Sequence, residues 1–274
     1  MPVRYGWSMS AVALTIAGSD PSGGAGIQAD LKTFHQFGVY GQAVITLLTV
    51  QNTQTVSRLE TMPADLVVEQ IEAVISDIPP GAAKTGALGN VAIVEAIAEL
   101  AKSFPFPLVV DPVMISKHGA RLISPEAEQV LKRVLLPRAF LVTPNIPEAE
   151  SLTGMTIHDE SGMRRAANRL CDLGCKAVLV KGGHGRGDPV DVLSAPGLIE
   201  NSVASFFGRR VDTSHTHGTG CTYSAAITAG LALGRDLLQS IRAAKLFIQS
   251  AIETAPGLGG GHGPVNHFAR LIET

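Results

Sequence analysis

Short apolar runs alternate with helical patterns along most of this chain, and that alternation limits the possible folds more than any other feature. The runs predict strands at residues 11–17, 43–50, 82–84, 108–113, 139–142 and 177–180. Apolar residues at three-to-four spacing predict helices near residues 25–37, 63–77, 90–103, 124–135, 160–173, 219–233 and 236–254. This order is typical of βαβ units. We therefore predict an α/β fold with a central, mainly parallel sheet flanked by helices on both faces.

Residues 190–212 depart from this rhythm. Three short segments, Val190–Leu193, Asn201–Phe207 and Arg209–Val211, predict a small antiparallel meander at the edge of the sheet. The chain has no internal repeat, low-complexity tract or shift in composition. We therefore expect one domain over residues 11–274, preceded by a loose N-terminal extension at residues 1–10.

Composition excludes several classes of function. An apolar fraction of 45% over 274 residues supports a large core, and a net charge of −2 offers no basic surface for nucleic acid. No run approaches the roughly 20 apolar residues of a membrane helix, and the N-terminus lacks an export signal. Three widely spaced cysteines suit a reducing compartment. We expect a soluble cytoplasmic protein with no membrane or nucleic-acid partner.

Polar or flexible residues lie at or near the end of every one of these predicted strands. They are Gly18, Gln51, Lys84, Asp111, Asn145 and Lys181. Ligands of open parallel sheets bind at the carboxyl ends of the strands. This pattern favours a small-molecule site over a scaffold.

The stretch from Thr216 to Thr222, which contains Gly218 and Gly220, turns directly into a predicted helix. Unpaired amides at a helix N-terminus bind anions, and glycines allow a phosphate to approach closely. Cys221 would lie in the first turn, where the helix dipole favours a thiolate, so it is a candidate base. The alternative interpretation is a glycine-rich loop followed by a buried cysteine.

Gly24-x-Gly26-x-x-Ala29 fits the loose dinucleotide pattern, but the acid expected after the next strand is absent, because Gln51 stands there. We instead expect a glycine turn over a flat ligand with Asp30 reaching inward; the alternative is a solvated helix acid. The chain has no P-loop, so a nucleoside triphosphate would have to use the turn at residues 218–221.

Asp111 and the Asn145-x-x-Glu148 pair follow neighbouring predicted strands. Oxygen ligands of this kind suit Mg²⁺, although turn formation, with Glu148 as an acid in the first turn of a helix, would explain the same residues equally well. Lys117 and Lys181 place cations at the same edge. Together with the predicted anion site, these residues indicate phosphoryl transfer.

Several segments, in order along the chain, resemble the hydroxymethylpyrimidine/phosphomethylpyrimidine kinases of thiamin biosynthesis. The strongest are Ala17–Thr33 and Thr216–Thr222; the others are 111–114, 143–150, 181–184 and 261–267. The resemblance implies a ribokinase-like fold and a homodimer. It also implies two ATP-dependent steps, which phosphorylate 4-amino-5-hydroxymethyl-2-methylpyrimidine and then its monophosphate.

The resemblance also implies a role for each matching residue. Cys221 is implied as the base, with an anion hole formed by Gly218, Thr219 and Gly220. The implied pyrimidine pocket consists of Gly18, Asp30, Gln51, Ala87 and Val113. Lys117, Lys181 and Thr216 are implied near the phosphates, and Asp111, Asn145 and Glu148 near Mg²⁺, partly through water.

Two departures from the family pattern bear on specificity. Ala87 replaces a methionine found in many members, which widens the pocket, and His118-Gly119-Ala120 replaces Ser-Gly-Asp in a loop expected to cover the phosphates. A pyridoxal kinase or a dual-specificity enzyme is therefore the nearest alternative. A non-catalytic pyrimidine-binding regulatory protein is the alternative from another class.

Overall fold

A computed structural model describes residues 11–117, 119–183 and 187–271. The sheet contains nine strands: β1 (Val12–Ser19), β2 (Tyr40–Gln51), β3 (Val56–Thr61), β4 (Ala82–Thr85), β5 (Leu108–Val110), β6 (Leu141–Val142), β7 (Ala177–Val180), β8 (Val190–Ser194) and β9 (Val203–Phe207). Their order across the sheet is β3-β2-β1-β4-β5-β6-β7-β8-β9.

The α-helices lie between and after these strands. They are α1 (Gly26–Gln36), α2 (Ala64–Asp77), α3 (Val91–Leu100), α4 (Pro125–Val130), α5 (Ile146–Thr153), α6 (Glu160–Cys171), α7 (Thr219–Ala232) and α8 (Leu237–Glu253). A π-turn at residues 131–135 and a 3₁₀ turn at 136–138 extend α4 towards β6. Among the described residues, no helix is both long and apolar enough to cross a bilayer.

The predicted fold class is confirmed. Strands β2, β1, β4, β5, β6 and β7 are parallel, whereas β8 and β9 form the antiparallel meander at one edge. Two elements were missed, since β3 pairs antiparallel with β2 at the other edge and α5 follows β6. The strand predicted at Arg209–Val211 is wrong, because this segment is irregular. The predicted extension at residues 1–10 lies outside the described residues.

The two faces of the sheet carry separate apolar cores. Side chains alternate between them along each strand, as Leu14 and Ile16 of β1 face one core while Ala13 faces the other. Helices α2 to α6 cover the first face, and α1, α7 and α8 cover the second. The parallel strands are therefore buried on both sides, which explains their continuous apolar runs.

The order in which strands are added to the sheet reverses its direction between β1 and β4, although these two strands are parallel. From β1 the chain proceeds outward through β2 to β3, and β4 then begins the strands on the other side of β1. Such a reversal opens a crevice at the carboxyl ends of the two strands. Gly18 of β1 and Gly86 after β4 lie at this point.

Helices α7 and α8 cross closely at Gly230. A β-carbon at Gly230 would lie 2.7 Å from Ser240 Oγ and 3.0 Å from its Cα. We expect Gly230→Ala to lower the free energy of unfolding by about 1–3 kcal/mol through overpacking, despite alanine's better helix propensity. Urea denaturation measures this change. Gly162→Ala in α6 is the matched control, because its β-carbon would meet only ordinary contacts from 3.4 Å; equal effects in both variants would contradict the packing argument.

Candidate active site

A cavity of about 780 Å³ opens at the carboxyl ends of the parallel strands, where the topology reverses. It is lined by nearly all the residues predicted for the site. These are Gly18, Gln51, Ala87, Asp111, Val113, Lys117, Asn145, Glu148, Lys181, Thr216, Gly218, Thr219, Gly220 and Cys221. The structure therefore brings together residues that are far apart in the chain, from Gly18 to Cys221.

The N-terminus of α7 points its first turn at this cavity. Gly218 precedes the helix with φ = 77°, and a β-carbon there would lie 1.7 Å from the carbonyl oxygen of Gly24, so only glycine fits. The first i→i−4 bond of the helix runs from Thr222 N to Gly218 O at 2.8 Å. The amides of Gly220 and Cys221 precede that bond, and amides in this position bind anions.

The Asp20 carboxylate connects this turn to the glycine-rich loop after β1. It accepts hydrogen bonds from Ser22 N at 2.8 Å, Ala25 N at 2.9 Å and His217 Nε2 at 2.8 Å. Burial opposes ionisation of Asp20, but the hydrogen bonds from His217, Gln51 and Ser22 outweigh it and hold its pKa below the ordinary value. The carboxylate therefore stays charged and fixes the loop against the anion site.

The expectation of a thiolate at Cys221 is wrong for this structure. Burial raises the pKa of the thiol to about 12; Lys84 opposes the rise, whereas Asp30 and Asp111 add to it. The helix N-terminus does not compensate. At neutral pH Cys221 is therefore a thiol that lines the cavity, and it becomes a base only when it loses its own proton.

Asp30 does not line the cavity, so the predicted direct contact with a substrate is wrong. The side chain has no exposed surface and binds Lys84 Nζ through both oxygens at 2.8 Å, with Thr15 Oγ1 at 2.6 Å. The alternative of a solvated helix acid is wrong as well. Lys84 is equally buried, so it cannot touch a bound anion as a surface lysine would.

Asp111 and Lys181 form an ion pair at the cavity wall. Lys181 Nζ lies 2.9 Å from Asp111 Oδ1, and hydroxyl groups of Thr143 and Ser224 donate to the same carboxylate at 3.2 and 3.1 Å. Burial opposes the charge on Asp111, but Lys181 and Lys84 outweigh it and lower the pKa of the carboxyl. Asp111 is therefore an anion at neutral pH.

Asn145 and Glu148 cap helix α5. The Asn145 side chain accepts from Glu148 N at 2.9 Å, and Glu148 Oε2 accepts from Asn145 N at 2.8 Å. This is a capping box. The sequence analysis offered Glu148 as a first-turn helix acid but did not predict the box. Both residues also line the cavity, where burial raises the pKa of Glu148 to about 7 despite the opposing charge of Lys181. The described part of the chain contains no group of three or more His, Cys, Asp or Glu side chains arranged for a metal.

The loop after β5 carries Lys117 along the cavity. Ser116 N donates to Ala120 O at 2.7 Å, and Ser116 Oγ accepts from Ala120 N at 3.0 Å, which closes a tight turn. Lys117 is exposed within this turn and lines the cavity. Of the residues that depart from the family pattern here, His118 lies outside the described residues, as does His184 of the matching 181–184 segment.

Sequence reasoning missed a second arm of the cavity. It is formed by the segment after β9 and by one face of α8, and it comprises Arg209, Arg210, Val211, Ile248, Gln249 and Ile252. Arg210 is held by the carbonyl oxygens of Gly183 and Gly187 at 2.8 and 2.9 Å. The adjacent arginines at positions 209 and 210 could have indicated this part of the cavity, but we predicted a strand over the same residues instead.

Comparison with known proteins agrees with this geometry. A family model described as phosphomethylpyrimidine kinase matches residues 20–266. A hydroxymethylpyrimidine/phosphomethylpyrimidine kinase from Bacillus subtilis is 44% identical over 259 residues, which are 94% of this chain and 94% of that protein.

Two solved structures show the same fold. A phosphomethylpyrimidine kinase from Clostridium difficile matches with a TM-score of 0.78 and 45% identity, covering 89% of this chain and 100% of that one. A Bacillus subtilis pyridoxal kinase in complex with ADP matches with a TM-score of 0.86 and 37% identity, covering 95% and 98%.

The fold and the site thus define a phosphotransferase of the ribokinase-like class. Within that class, the chain belongs to the phosphomethylpyrimidine kinase family of thiamin biosynthesis.

A hydrogen bond of the His267 side chain links the C-terminal segment to the first turn of α7. Its Nε2 lies 3.0 Å from Thr222 Oγ1, and the side chain is buried. Burial, followed by the charges of Lys32 and His217, lowers its pKa from 6.5 to about 4. The unfolded chain therefore binds a proton at pH values where the folded protein does not, so the stability from neutral His267 is lost as the pH falls from 6.5 towards 4.

We expect the wild-type protein to lose about 3 kcal/mol of unfolding free energy through His267 between pH 6.5 and 4. His267→Gln cannot titrate but keeps a hydrogen-bonding group near Thr222, so its stability should fall less over this interval. Urea unfolding at half-unit pH steps measures both slopes. Parallel slopes for the two proteins would contradict the assignment.

Proposed function

We propose that residues 11–274 act as one kinase unit that phosphorylates 4-amino-5-hydroxymethyl-2-methylpyrimidine and then converts the monophosphate into the diphosphate. ATP is the phosphoryl donor, Mg²⁺ accompanies it, and the enzyme works in the cytoplasm. One observation carries this proposal: a single cavity contains the N-terminus of α7, Cys221, the Gln51 side chain and the Lys181–Asp111 pair.

Gln51 supports recognition of the pyrimidine edge. Its side chain hydrogen-bonds to the carboxylate of Asp20, which can only accept, so Gln51 donates through its amide nitrogen. Its carbonyl oxygen then remains to accept from the exocyclic amino group of the ring. Gly18, Ala87 and Val113 provide small or apolar walls for a flat ligand.

In this proposal the phosphate groups are held at the Gly218–Gly220 turn by the amides of Gly220 and Cys221. Thr216, Lys181 and Lys117 contribute to the same site. The carboxylates of Asp111 and Glu148 line the same cavity and suit Mg²⁺ that arrives bound to ATP, because Mg²⁺ keeps waters and uses one or two protein carboxylates. Asn145 orients Glu148 through the capping box. The bound Mg²⁺ would neutralise phosphate charge.

The reaction would place the substrate hydroxyl between Cys221 and the γ-phosphate. Cys221 first loses its own thiol proton to solvent. The hydroxyl oxygen then forms a bond to phosphorus as the bond to the leaving ADP oxygen breaks, and the hydroxyl proton passes to the Cys221 thiolate. Phosphoryl transfer has a loose transition state, so positioning and cations supply most of the catalysis and the base acts late.

The second arm of the cavity suits the nucleoside of ATP. Val211, Ile248 and Ile252 offer an apolar surface for a base, and the arginines at 209 and 210 lie beside it. In this proposal the phosphates then lie at the N-terminus of α7, between the nucleoside and the pyrimidine.

A homodimer is also proposed. Leu48 and Val50 of β2 are 44% and 57% exposed at the edge that β3 extends, and apolar groups in this position are suited to contact a second copy of the chain.

Incubation of the wild-type protein with Mg-ATP and hydroxymethylpyrimidine should yield the monophosphate and then the diphosphate, which mass spectrometry follows directly. The monophosphate alone would restrict the enzyme to the first step. Pyridoxal is tested in parallel, since Ala87 leaves room for a larger ring and a pyridoxal kinase shares the fold. Turnover of both rings would establish dual specificity, and no turnover of either would support a binding protein.

Cys221→Ala removes the proton acceptor while leaving the pocket walls in place. We expect kcat to fall by about 10²–10⁴-fold, the usual contribution of a general base, with KM for the pyrimidine within about threefold of wild type. Steady-state kinetics at saturating Mg-ATP measure both parameters. Equal losses in kcat and in affinity for the pyrimidine would contradict the assignment of Cys221 as the base.

A further inference from the structure

The C-terminal segment 258–265, which we call the strap, lies beside the pyrimidine end of the cavity. It overlaps the segment 261–267 that matches the family pattern. None of the described residues that line the cavity belongs to the strap. Any influence of the strap on a substrate must therefore pass through the segments that it holds.

Gln51, the residue proposed to bind the pyrimidine edge, lies on a part of β2 that extends beyond β1. The ladder between β1 and β2 ends at the Ser19–Leu48 pair, whereas β2 and β3 remain paired as far as Gln51. One further contact with β1 comes from the Thr49 hydroxyl, which donates to Ser19 O at 2.9 Å. A two-stranded hairpin alone is only marginally stable in water, so the backbone at Gln51 depends on support at the hairpin tip, residues 52–55.

The strap supplies that support by direct contact between backbones. His262 N donates to Thr53 O at 2.8 Å. A β-carbon at Gly261 would lie 2.1 Å from the same oxygen, and one at Gly259 would collide with the Thr53 side chain. The strap can therefore approach the hairpin tip this closely only because it carries glycines at these positions.

The other end of the strap holds the turn that precedes α7. His262 Nδ1 donates to the carbonyl oxygen of Ser214 at 3.1 Å, and His217 N donates to Gly263 O at 3.0 Å. Pro264 forms a β-bridge with His217. One short segment thus contacts both the hairpin tip and the turn that presents the α7 amides.

We propose that the strap is a positioning element for the pyrimidine, because it fixes the hairpin tip relative to the N-terminus of α7 and thereby sets the place of Gln51 in the cavity. The inference rests on the proposed function, in which Gln51 binds the pyrimidine edge. The strap itself touches no reacting atom in this proposal. Its contribution is to hold the backbone that carries the Gln51 side chain.

Of the two segments that the strap joins, the hairpin is held less firmly. The turn before α7 is also fixed by the Asp20–His217 hydrogen bond of 2.8 Å and by the close approach of Gly218 to Gly24. The hairpin tip lies beyond the end of the ladder with β1. Loosening the strap should therefore displace Gln51 and leave the phosphate site in place.

Gly261→Ala tests the contact, because its methyl group would push Thr53 O away from the strap. Gly260→Ala is the matched control, since its β-carbon would meet the movable Nε2 end of the Gln54 side chain at 2.7 Å. Neither glycine has a positive φ, so alanine adds bulk without backbone strain.

Hydrogen–deuterium exchange of residues 50–56 in the full-length, ligand-free protein measures how often the hairpin tip opens. We expect exchange at least about tenfold faster in Gly261→Ala and within about twofold of wild type in Gly260→Ala. Unchanged exchange in Gly261→Ala, or equal acceleration in both variants, would overturn the inference.

Steady-state kinetics connect the strap to the substrate. In Gly261→Ala, KM for the pyrimidine should rise about five- to tenfold, which corresponds to the loss of about one hydrogen bond. KM for Mg-ATP should stay within about twofold of wild type, because the phosphate site keeps its other contacts. Equal increases in the two KM values would indicate general damage to the fold and contradict the inference, as would an unchanged KM for the pyrimidine.

His262→Ala keeps the inference testable if Gly261→Ala fails to fold, because the His262 side chain is exposed. It removes the bond to Ser214 O but retains the backbone bond to Thr53. Exchange at residues 50–56 should accelerate and KM for the pyrimidine should rise by about two- to threefold, with KM for Mg-ATP unchanged; no change in exchange or KM would overturn the inference. If the wild-type protein phosphorylates no pyrimidine, the proposed function fails, while the exchange rates still decide whether the strap holds the hairpin.

Discussion

The close contact between two glycine-rich turns determines the geometry of the site. Gly218 precedes α7 so near the carbonyl oxygen of Gly24 that a β-carbon would stand 1.7 Å away, and the Asp20–His217 hydrogen bond of 2.8 Å joins the same two segments. One turn faces the pyrimidine side of the cavity and the other presents the helix amides. Because both contacts join these turns, the acceptor group and the phosphate site are held in a fixed relation, which is the positioning that phosphoryl transfer requires.

Three lysines at or behind the cavity wall are paired with aspartates. Lys84–Asp30, Lys181–Asp111 and Lys245–Asp191 have separations of 2.8, 2.9 and 2.6 Å, and every one of these six residues is at least largely buried. A lone buried lysine would lose its proton, whereas a paired one keeps its charge in a fixed place. Positive charge is therefore present before any phosphate binds and needs no reorganisation, as electrostatic catalysis demands.

The fold and the location of the site could be predicted from the sequence. Parallel strands buried on both faces appear as continuous apolar runs, and the carboxyl ends of such strands lie at one edge of the sheet. The side-chain roles were less accessible. The spacing of Asn145 and Glu148 suits a capping box and a metal site alike, and only the folded structure shows that the box forms. Asp30 was assigned to the pocket, but its direction is set by Lys84, which is 54 positions away in the chain. The edge strand β3 is half exposed and lacked the apolar run of the central strands.

Cys221 shows how the magnitude of competing effects decides a prediction. A helix N-terminus favours an anion by about 0.3–1 kcal/mol, whereas burial can shift a pKa by several units at 1.36 kcal/mol each. Burial therefore prevails and raises the pKa of the thiol to about 12, even though the residue occupies the first turn of α7. The thiolate of such a residue is rarely populated at neutral pH, but it binds a proton firmly once it has formed. The effectiveness of the residue as a base therefore depends on neighbouring charges. Burial thus has the largest effect on the pKa of this cysteine, and the charges of Lys84, Asp30 and Asp111 follow it.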